Sequence, residues 1–261
     1  MIKKLKALWE ESDFARESLS FRETVGLILE KHSLSRDTLL LGKEIDEEVA
    51  RSIISHMEMA VSGYPLGYIL GKVPFYKYDF LVGEGVLIPR CDSEILVEEA
   101  VKRIPRGAHF LDICTGSGCL GLSVLLERED LTATLLDISP FSEKWARKNI
   151  EYHGLSERCA FKHIDILKEE PEKAQAIIMN PPYITSEEMT ALPENVKKEP
   201  SLALFGGEDG LDFYRRIKEL SLKDTLLIFE IGSKQGKDLQ DLFEGGEIIK
   251  DLSLNDRVFI F

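Results

Sequence analysis

From residue 109 onward the chain alternates short apolar runs with segments of helical period, and this restricts the fold more than any other feature. Residues 109–113 read as a buried strand, followed by a glycine-rich turn and an apolar helix running to Leu126. Residues 132–137 form the next strand and 142–152 the next helix; 159–163 and 175–179 follow as strands. Residues 211–220 read as helix, 225–231 as strand, and the tail ends on Val258, Phe259, Ile260 and Phe261. Strands separated by helices imply a mostly parallel sheet covered on both faces, an α/β architecture. The stretch 181–210 reads as irregular and is too long for a mere connection; loops of that length are usually functional or disordered.

The chain upstream has a different texture. Residues 1–70 carry helix-period patterns built on Trp9, Phe14, Leu19 and Phe21, then Val25, Leu27, Ile28 and Leu29, then Leu34, Leu39, Leu40 and Leu41. Ser35 is placed to cap a helix beginning at Arg36, and Asp46 one that carries Val49, Ile53, Ile54 and Met57. A small all-helical domain over 1–70 is expected. Residues 71–90 then read as a β-hairpin linker, with Phe75, Tyr76, Tyr78 and Phe80 expected to pack against the domain over 91–261.

Composition narrows the function. The formal charge of −13 opposes approach to a phosphate backbone, so no direct nucleic-acid substrate is expected. No apolar run approaches the roughly 20 residues a membrane span requires, and the start, MIKKLKALWEESDF, reads as an amphipathic helix rather than a signal peptide. Cys91, Cys114, Cys119 and Cys159 form no C-x-x-C pair, which points to free thiols in a reducing cytoplasm. His32, His56, His109, His153 and His163 show no ligand spacing, so no metal is expected.

Two motifs carry chemistry. Asp112-Ile113-Cys114-Thr115-Gly116-Ser117-Gly118 follows a strand and opens a helix, where glycines let the backbone turn tightly and approach a ligand. About 20 residues on, Asp137 closes the second strand, where a carboxylate can accept from both hydroxyls of a ribose. The pair marks an adenosine-containing cofactor without choosing between NAD and S-adenosylmethionine. Asn180-Pro181-Pro182-Tyr183 at the end of a later strand makes the choice. An amide or exocyclic nitrogen is a poor nucleophile and must be held by both hydrogens. Asn180 offers a side-chain acceptor, and the Pro181 carbonyl is a second, fixed by two consecutive prolines. Directional bonds of this kind can set an in-line attack on a methyl group, and Tyr183 can wall the planar group.

These residues together resemble the release factor glutamine methyltransferase family. The resemblance extends over most of the chain. It includes Pro65-Leu66-Gly67-Tyr68-Ile69-Leu70-Gly71, then Leu87-Ile88-Pro89-Arg90 with Asp92-Ser93-Glu94, and Glu199-Pro200 with Ala203-Leu204. Gly206-Gly207 with Asp209-Gly210-Leu211, then Tyr214 and Ile217, continue it. The resemblance implies a Rossmann-like seven-stranded methyltransferase domain preceded by a helical substrate-recognition domain and a β-hairpin linker. It implies S-adenosylmethionine held by Cys114, Thr115, Gly116, Ser117, Gly118, Asp137 and Ile166, with Asn180 between cofactor and substrate. Asn180, Pro181, Pro182 and Tyr183 would clamp the glutamine amide of a peptide-chain release factor, with Asn180 and Pro181 catalytic.

Three positions depart from the family pattern. Cys114 stands where glycine is usual, Cys91 where proline follows the I-P-R segment, and Ile166 where some members carry a bulkier residue. The N-P-P-Y tetrad is shared with nucleic-acid base amino-methyltransferases acting on adenine N6 or guanine N2, which is the alternative reading; a glutamine in a ribosomal protein is another substrate for the same chemistry. A silent binding module on the same fold is disfavoured by intact Asn180 and Asp137. Two charged residues stay open: Arg90 could orient acidic groups of the cofactor or of the linker, and Glu230 could face either a pocket or solvent.

Overall fold

The computed structural model describes residues 2–10, 12, 20–35, 37–38, 41, 44–193, 195–220, 222 and 224–261. They form two compact units, Met1–Lys72 with Pro193–Lys198, and Val73–Leu192 with Glu199–Phe261.

The first unit is helical: α1 (Ile2–Glu10), α2 (Phe21–Lys31), α3 (Glu47–Val61) and α4 (Leu66–Leu70). Local chemistry sets two of the starts. Ser20 and Glu23 form a reciprocal capping box on α2, and Asp46 Oδ1 accepts from the Glu48 and Val49 amides at 2.8 and 3.2 Å to begin α3. Leu5, Ile28, Leu29, Ile53, Met57 and Ile69 fill the core between the helices. Leu41, expected in that core, is instead 71% exposed. Phe14, Leu19, Arg36, Leu39 and Leu40 lie outside the described residues.

The second unit is a sheet of seven strands among the described residues, in the order β5-β4-β3-β6-β7-β9-β8. These are β3 (His109–Ile113), β4 (Thr132–Asp137), β5 (Cys159–His163), β6 (Ala176–Met179), β7 (Leu226–Glu230), β8 (Glu247–Lys250) and β9 (Asp256–Ile260). Strands β3 to β7 are mutually parallel, while β9 runs antiparallel to both β7 and β8. Because side chains alternate along a strand, each strand feeds both faces. Phe110, Leu135, Phe161 and Ile178 meet the helices α5 (Glu94–Arg103), α6 (Cys119–Glu127) and α7 (Pro140–Tyr152) on one face. Leu111, Leu136, Met179 and Phe229 meet α9 (Asp212–Glu219) and α10 (Gly236–Phe243) on the other. Helix α8 (Ser186–Ala191) lies within the stretch read as irregular.

The hairpin of β1 (Lys72–Phe75) and β2 (Tyr78–Leu81) packs as expected, with Phe75 and Phe80 1% and 0% exposed in the core of the second unit. The structure differs from the sequence-based expectation in two places. Residues 193–198 belong with the first unit, which accounts for part of the length of 181–210. Helices α5 and α10 and the edge strand β8 had no sequence expectation; β8 is four residues long and half-exposed, too short to show a period.

One buried side chain ties the hairpin to the glycine-rich loop. Asn149, fully buried on α7, accepts from the Leu81 amide at 2.7 Å and donates to the carbonyls of Leu81 and Ser117, both at 2.9 Å. Asn149→Ala would strand those backbone groups. Since each unpaired buried group costs about 1–3 kcal/mol, a net loss of about 2–4 kcal/mol is expected. Urea unfolding followed by the fluorescence of Trp145, in the same unit, measures it; an unchanged midpoint would show the bridge to be dispensable.

Candidate active site

Sheet register builds the site. Ile113 at the end of β3 lies opposite Leu136 of β4 on one side and Met179 of β6 on the other. The next residues, Cys114, Asp137 and Asn180, therefore emerge together from three neighbouring strand ends. The strand order also reverses here, since the chain moves outward through β3, β4 and β5 and returns to β6 on the other side of β3. Ligands of open parallel sheets bind in the crevice at such a switch point.

The loop leaving β3 takes positive φ at alternate residues, +58° at Cys114, +56° at Gly116 and +85° at Gly118. Cys114 thus keeps the backbone conformation that favours glycine, and the loop is held by its neighbours rather than by local preference. Asp112 Oδ2 accepts from the Thr115 hydroxyl at 2.5 Å and from the Gly121 amide at 3.0 Å. A Cβ on Gly121 would meet that same oxygen at 2.8 Å, so the helix must present a glycine to the anchor. Burial pushes the Asp112 carboxyl up to about 7, against the pull of its hydrogen bonds.

A cavity of about 320 Å³ opens over these strand ends, within the range of small-molecule sites. Of the residues expected from sequence, Cys114, Gly116, Asp137, Ile166, Asn180 and Pro182 line it. Asp137 Oδ2 accepts from the Gly116 amide at 2.9 Å and Oδ1 from the Ser139 amide at 2.8 Å, and the Ser142 hydroxyl and Ile138 amide also favour its ionised form. Burial raises its pKa, opposed by those backbone donors. Ile138, Ile164 and Phe213 contribute apolar wall.

Five expected residues do not line the cavity. Thr115 turns inward to Asp112, and Ser117 is buried with its carbonyl on Asn149. Gly118 caps α6 in the left-handed conformation. Pro181 is buried, and the Tyr183 hydroxyl points to Glu230 Oε1 at 3.5 Å. Sequence reasoning missed wall residues from the hairpin's exit, Gly85 and Val86, and Leu202 beyond the Glu199-Pro200 pair. The Glu199-Pro200 block was the available signal for the last of these.

The remaining motif segments brace the N-P-P-Y loop. Ile184 exchanges backbone bonds with the 204–206 segment, donating to the Leu204 carbonyl at 2.9 Å and accepting from the Gly206 amide at 3.0 Å. A Cβ on Gly206 would lie 2.4 Å from the Pro182 carbonyl oxygen, and one on Gly210 2.2 Å from that of Tyr183. Those glycines are what lets the two loops touch. Arg90 forms an ion pair with the buried Glu199, which also accepts from the Ile88 amide at 3.0 Å. Arg90 therefore binds the I-P-R segment to the Glu199-Pro200 block.

Glu230, left open by the sequence, is buried at 2% exposure at the end of β7. Burial pushes its carboxyl up to about 7, offset in part by the Ser93 hydroxyl, Arg257 and Tyr183. Asn180 Nδ2 donates to Ser93 Oγ at 3.3 Å. Burial and the neighbouring Glu230 in turn raise the Tyr183 hydroxyl above its usual range, so it stays protonated.

Comparison with known proteins agrees with this architecture. Residues 91–199 match the family model for the Methyltransferase small domain. A solved T. thermophilus 16S rRNA methyltransferase in complex with AdoMet and guanosine shares the fold, with TM-score 0.51 and 16% identity over 72% of this chain and 48% of that one. The release factor glutamine methyltransferase of Aquifex aeolicus is 31% identical over 266 residues, covering 96% of this chain and 92% of the relative. That of Clostridium acetobutylicum is 36% identical over 252 residues, 89% and 88% of the two lengths. Similarity at this level along nearly the whole chain, with the N-P-P-Y tetrad beside the glycine loop, shows that the chain belongs to the release factor glutamine methyltransferase family.

Proposed function

We propose that this chain transfers a methyl group from S-adenosylmethionine to the side-chain amide nitrogen of the glutamine in the Gly-Gly-Gln motif of peptide-chain release factors. The observation that carries the reading is that Asn180 and Pro182 share one cavity wall with Gly116 and Asp137. S-adenosylmethionine supplies an electrophilic methyl group when bound. The residues present fit it: the Asp137 carboxylate lines the cavity, Ile164 and Ile166 offer an apolar slot, and a Cβ at Gly116 would meet nothing within 4 Å.

On the substrate side Asn180 Oδ1 and the Pro181 carbonyl each accept one amide hydrogen. This orients the nitrogen and returns electron density to it. Tyr183, kept protonated by burial, contributes a neutral ring and hydroxyl beside the clamp. No strong base is needed, because the departing proton becomes acidic only as the new C–N bond forms. A base amino group could be clamped in the same way. The charge of −13 and family membership both favour the protein substrate over a nucleic acid. The reading also carries a cytoplasmic location, supported by four cysteines that are all free thiols.

Three outcomes test these roles. Asp137→Ala should weaken S-adenosylmethionine binding by about 1.5–3 kcal/mol, the range for hydrogen bonds to a charged group; calorimetry finding wild-type affinity would remove Asp137 from the site. Asn180→Ala should slow single-turnover transfer to a release factor by about 100- to 1000-fold, the usual loss for one positioned polar contact. Asn180→Asp keeps an acceptor but loses the donor to Ser93, so it too should be slower than wild type with cofactor binding retained. Wild-type rates in Asn180→Ala would reduce Asn180 to a turn residue.

The helical unit is assigned to recognition of the protein substrate, since none of its described residues lines the cavity. A fragment starting at Val73, which retains Phe75 and Phe80 in its core, should bind cofactor and lose most transfer to the intact factor. Circular dichroism establishes that the fragment is folded; full activity in a folded fragment would contradict the assignment.

A further inference from the structure

Beside the cavity, within the second unit, runs a shallow groove lined by Ser186 and Met189 of α8 and by Ser201, Leu202 and Phe205. Leu202 and Phe205 are 56% and 44% exposed. Single apolar side chains on a surface need no explanation, but these two converge with Met189 on one depression, and contiguous apolar surface marks a contact for a partner. Leu202 also stands with Asn180, Pro182, Pro200 and Ala203 among the residues lining the cavity, so groove and cavity share a wall.

We propose that this groove receives an apolar side chain of the protein substrate, carried within about three residues of the glutamine that is methylated. The inference deepens the reading of the chain as a glutamine methyltransferase and rests on it.

Reach, chemistry and charge define the occupant. One side chain, that of Leu202, separates the two spaces. An extended segment advances about 3.3 Å per residue, so with its glutamine in the cavity the side chain that meets the groove lies about two or three positions away. Met189, Leu202 and Phe205 offer only carbon and sulfur surface, with the small hydroxyls of Ser186 and Ser201 beside them. An aliphatic side chain gains burial there, whereas an acidic one meets no cation in the lining and is desolvated without compensation. Glu187 and Glu188 are exposed on the same helix, in a chain of charge −13. A substrate segment with neutral or basic neighbours around its apolar residue is therefore favoured over an acidic one.

Both walls of the groove are fixed relative to the clamp. Helix α8 begins just after the N-P-P-Y tetrad, and a capping box sets its start: Thr185 Oγ1 accepts from the Glu188 amide at 3.2 Å, and Glu188 Oε2 from the Thr185 amide at 3.1 Å. On the other side the Phe205 amide donates to the Ser201 carbonyl at 2.9 Å, and Phe205 pairs with Ile184 in a parallel bridge. Each wall is thus tied to the residues that follow Tyr183. A clamp that grips only an amide cannot tell one glutamine from another. A second contact, on a neighbouring side chain and at a set place relative to Asn180, adds that discrimination.

The test compares steady-state methylation of two forms of an intact release factor. One is unaltered; in the other the apolar residues within about three positions of the Gly-Gly-Gln glutamine, the reach of the groove, are replaced by serine. On the unaltered factor Phe205→Ala and Met189→Ala should each raise KM by about 5- to 20-fold, the low end of what an apolar pocket contact is worth. The contact is made before and during transfer alike, so kcat and S-adenosylmethionine affinity should not change. Phe205→Leu, which keeps an apolar side chain, should restore most of the loss. The serine form should show a raised KM with wild-type enzyme and no further rise with Phe205→Ala, because one contact cannot be lost twice. Wild-type KM in both alanine variants, a fall in kcat at constant KM, or equal losses on both forms of the factor would each overturn the assignment. If wild-type enzyme transferred no methyl group to the unaltered factor, the glutamine reading would fall and the occupant with it. An active wild type with indifferent groove variants removes the groove alone.

Discussion

Strand β3 hydrogen-bonds in parallel to β4 on one side and to β6 on the other, and the pairing ends at Ile113 on both. Parallel partners present their carboxyl ends at the same edge, so this double register brings the glycine loop, Asp137 and Asn180 within reach of one ligand. A one-residue slip would turn every side chain of the slipped strand to the other face. Leu111 and Ile113 fill one core while Phe110 fills the other, so both faces resist such a slip. The geometry of the candidate site is thus set by apolar packing within the sheet rather than at the strand ends themselves.

Around that edge the polar groups form two depths. Asp137 lines the cavity, while Asp112 and Glu230 stand behind it, both buried and both raised to about 7 by burial. The deeper pair hold the shallower residues. Asp112 anchors the loop that bears Cys114 and Gly116, and Glu230 faces Tyr183 behind the N-P-P-Y loop. Asn149 does the same with a neutral amide for the hairpin and the glycine loop. Binding groups in a site gain precision when such supports are rigid. The positive φ at Cys114 shows the scale of constraint: a side chain occupies a glycine conformation because its surroundings leave no alternative.

Much of the site was legible because its chemistry is written locally. Glycines at 116 and 118 sit where the backbone takes positive φ, the double proline follows a strand, and Asp137 closes the next strand in line. What the sequence left open depends on how the chain packs around a residue. The resemblance gave Thr115 and Ser117 as cofactor contacts, and the loop turns the Thr115 hydroxyl to Asp112 and buries Ser117. Arg90 stayed ambiguous because Glu199, its partner, is 109 residues away. Glu230 at a strand end gives no sequence sign of whether the edge above it is open or covered.

The sequence by itself determined the alternation of strand and helix, the two motifs and their order, and a family resemblance carried by the tetrad and its flanking blocks. Those are properties of periodicity, turn chemistry and residue type over a few neighbours. Only the tertiary structure decided which motif residues face the cavity, that Ser93 backs the Asn180 amide, and that Glu230 is buried beside Tyr183. Burial and hydrogen-bond direction are collective quantities, fixed by groups that converge from distant parts of the chain once the sheet has closed its register.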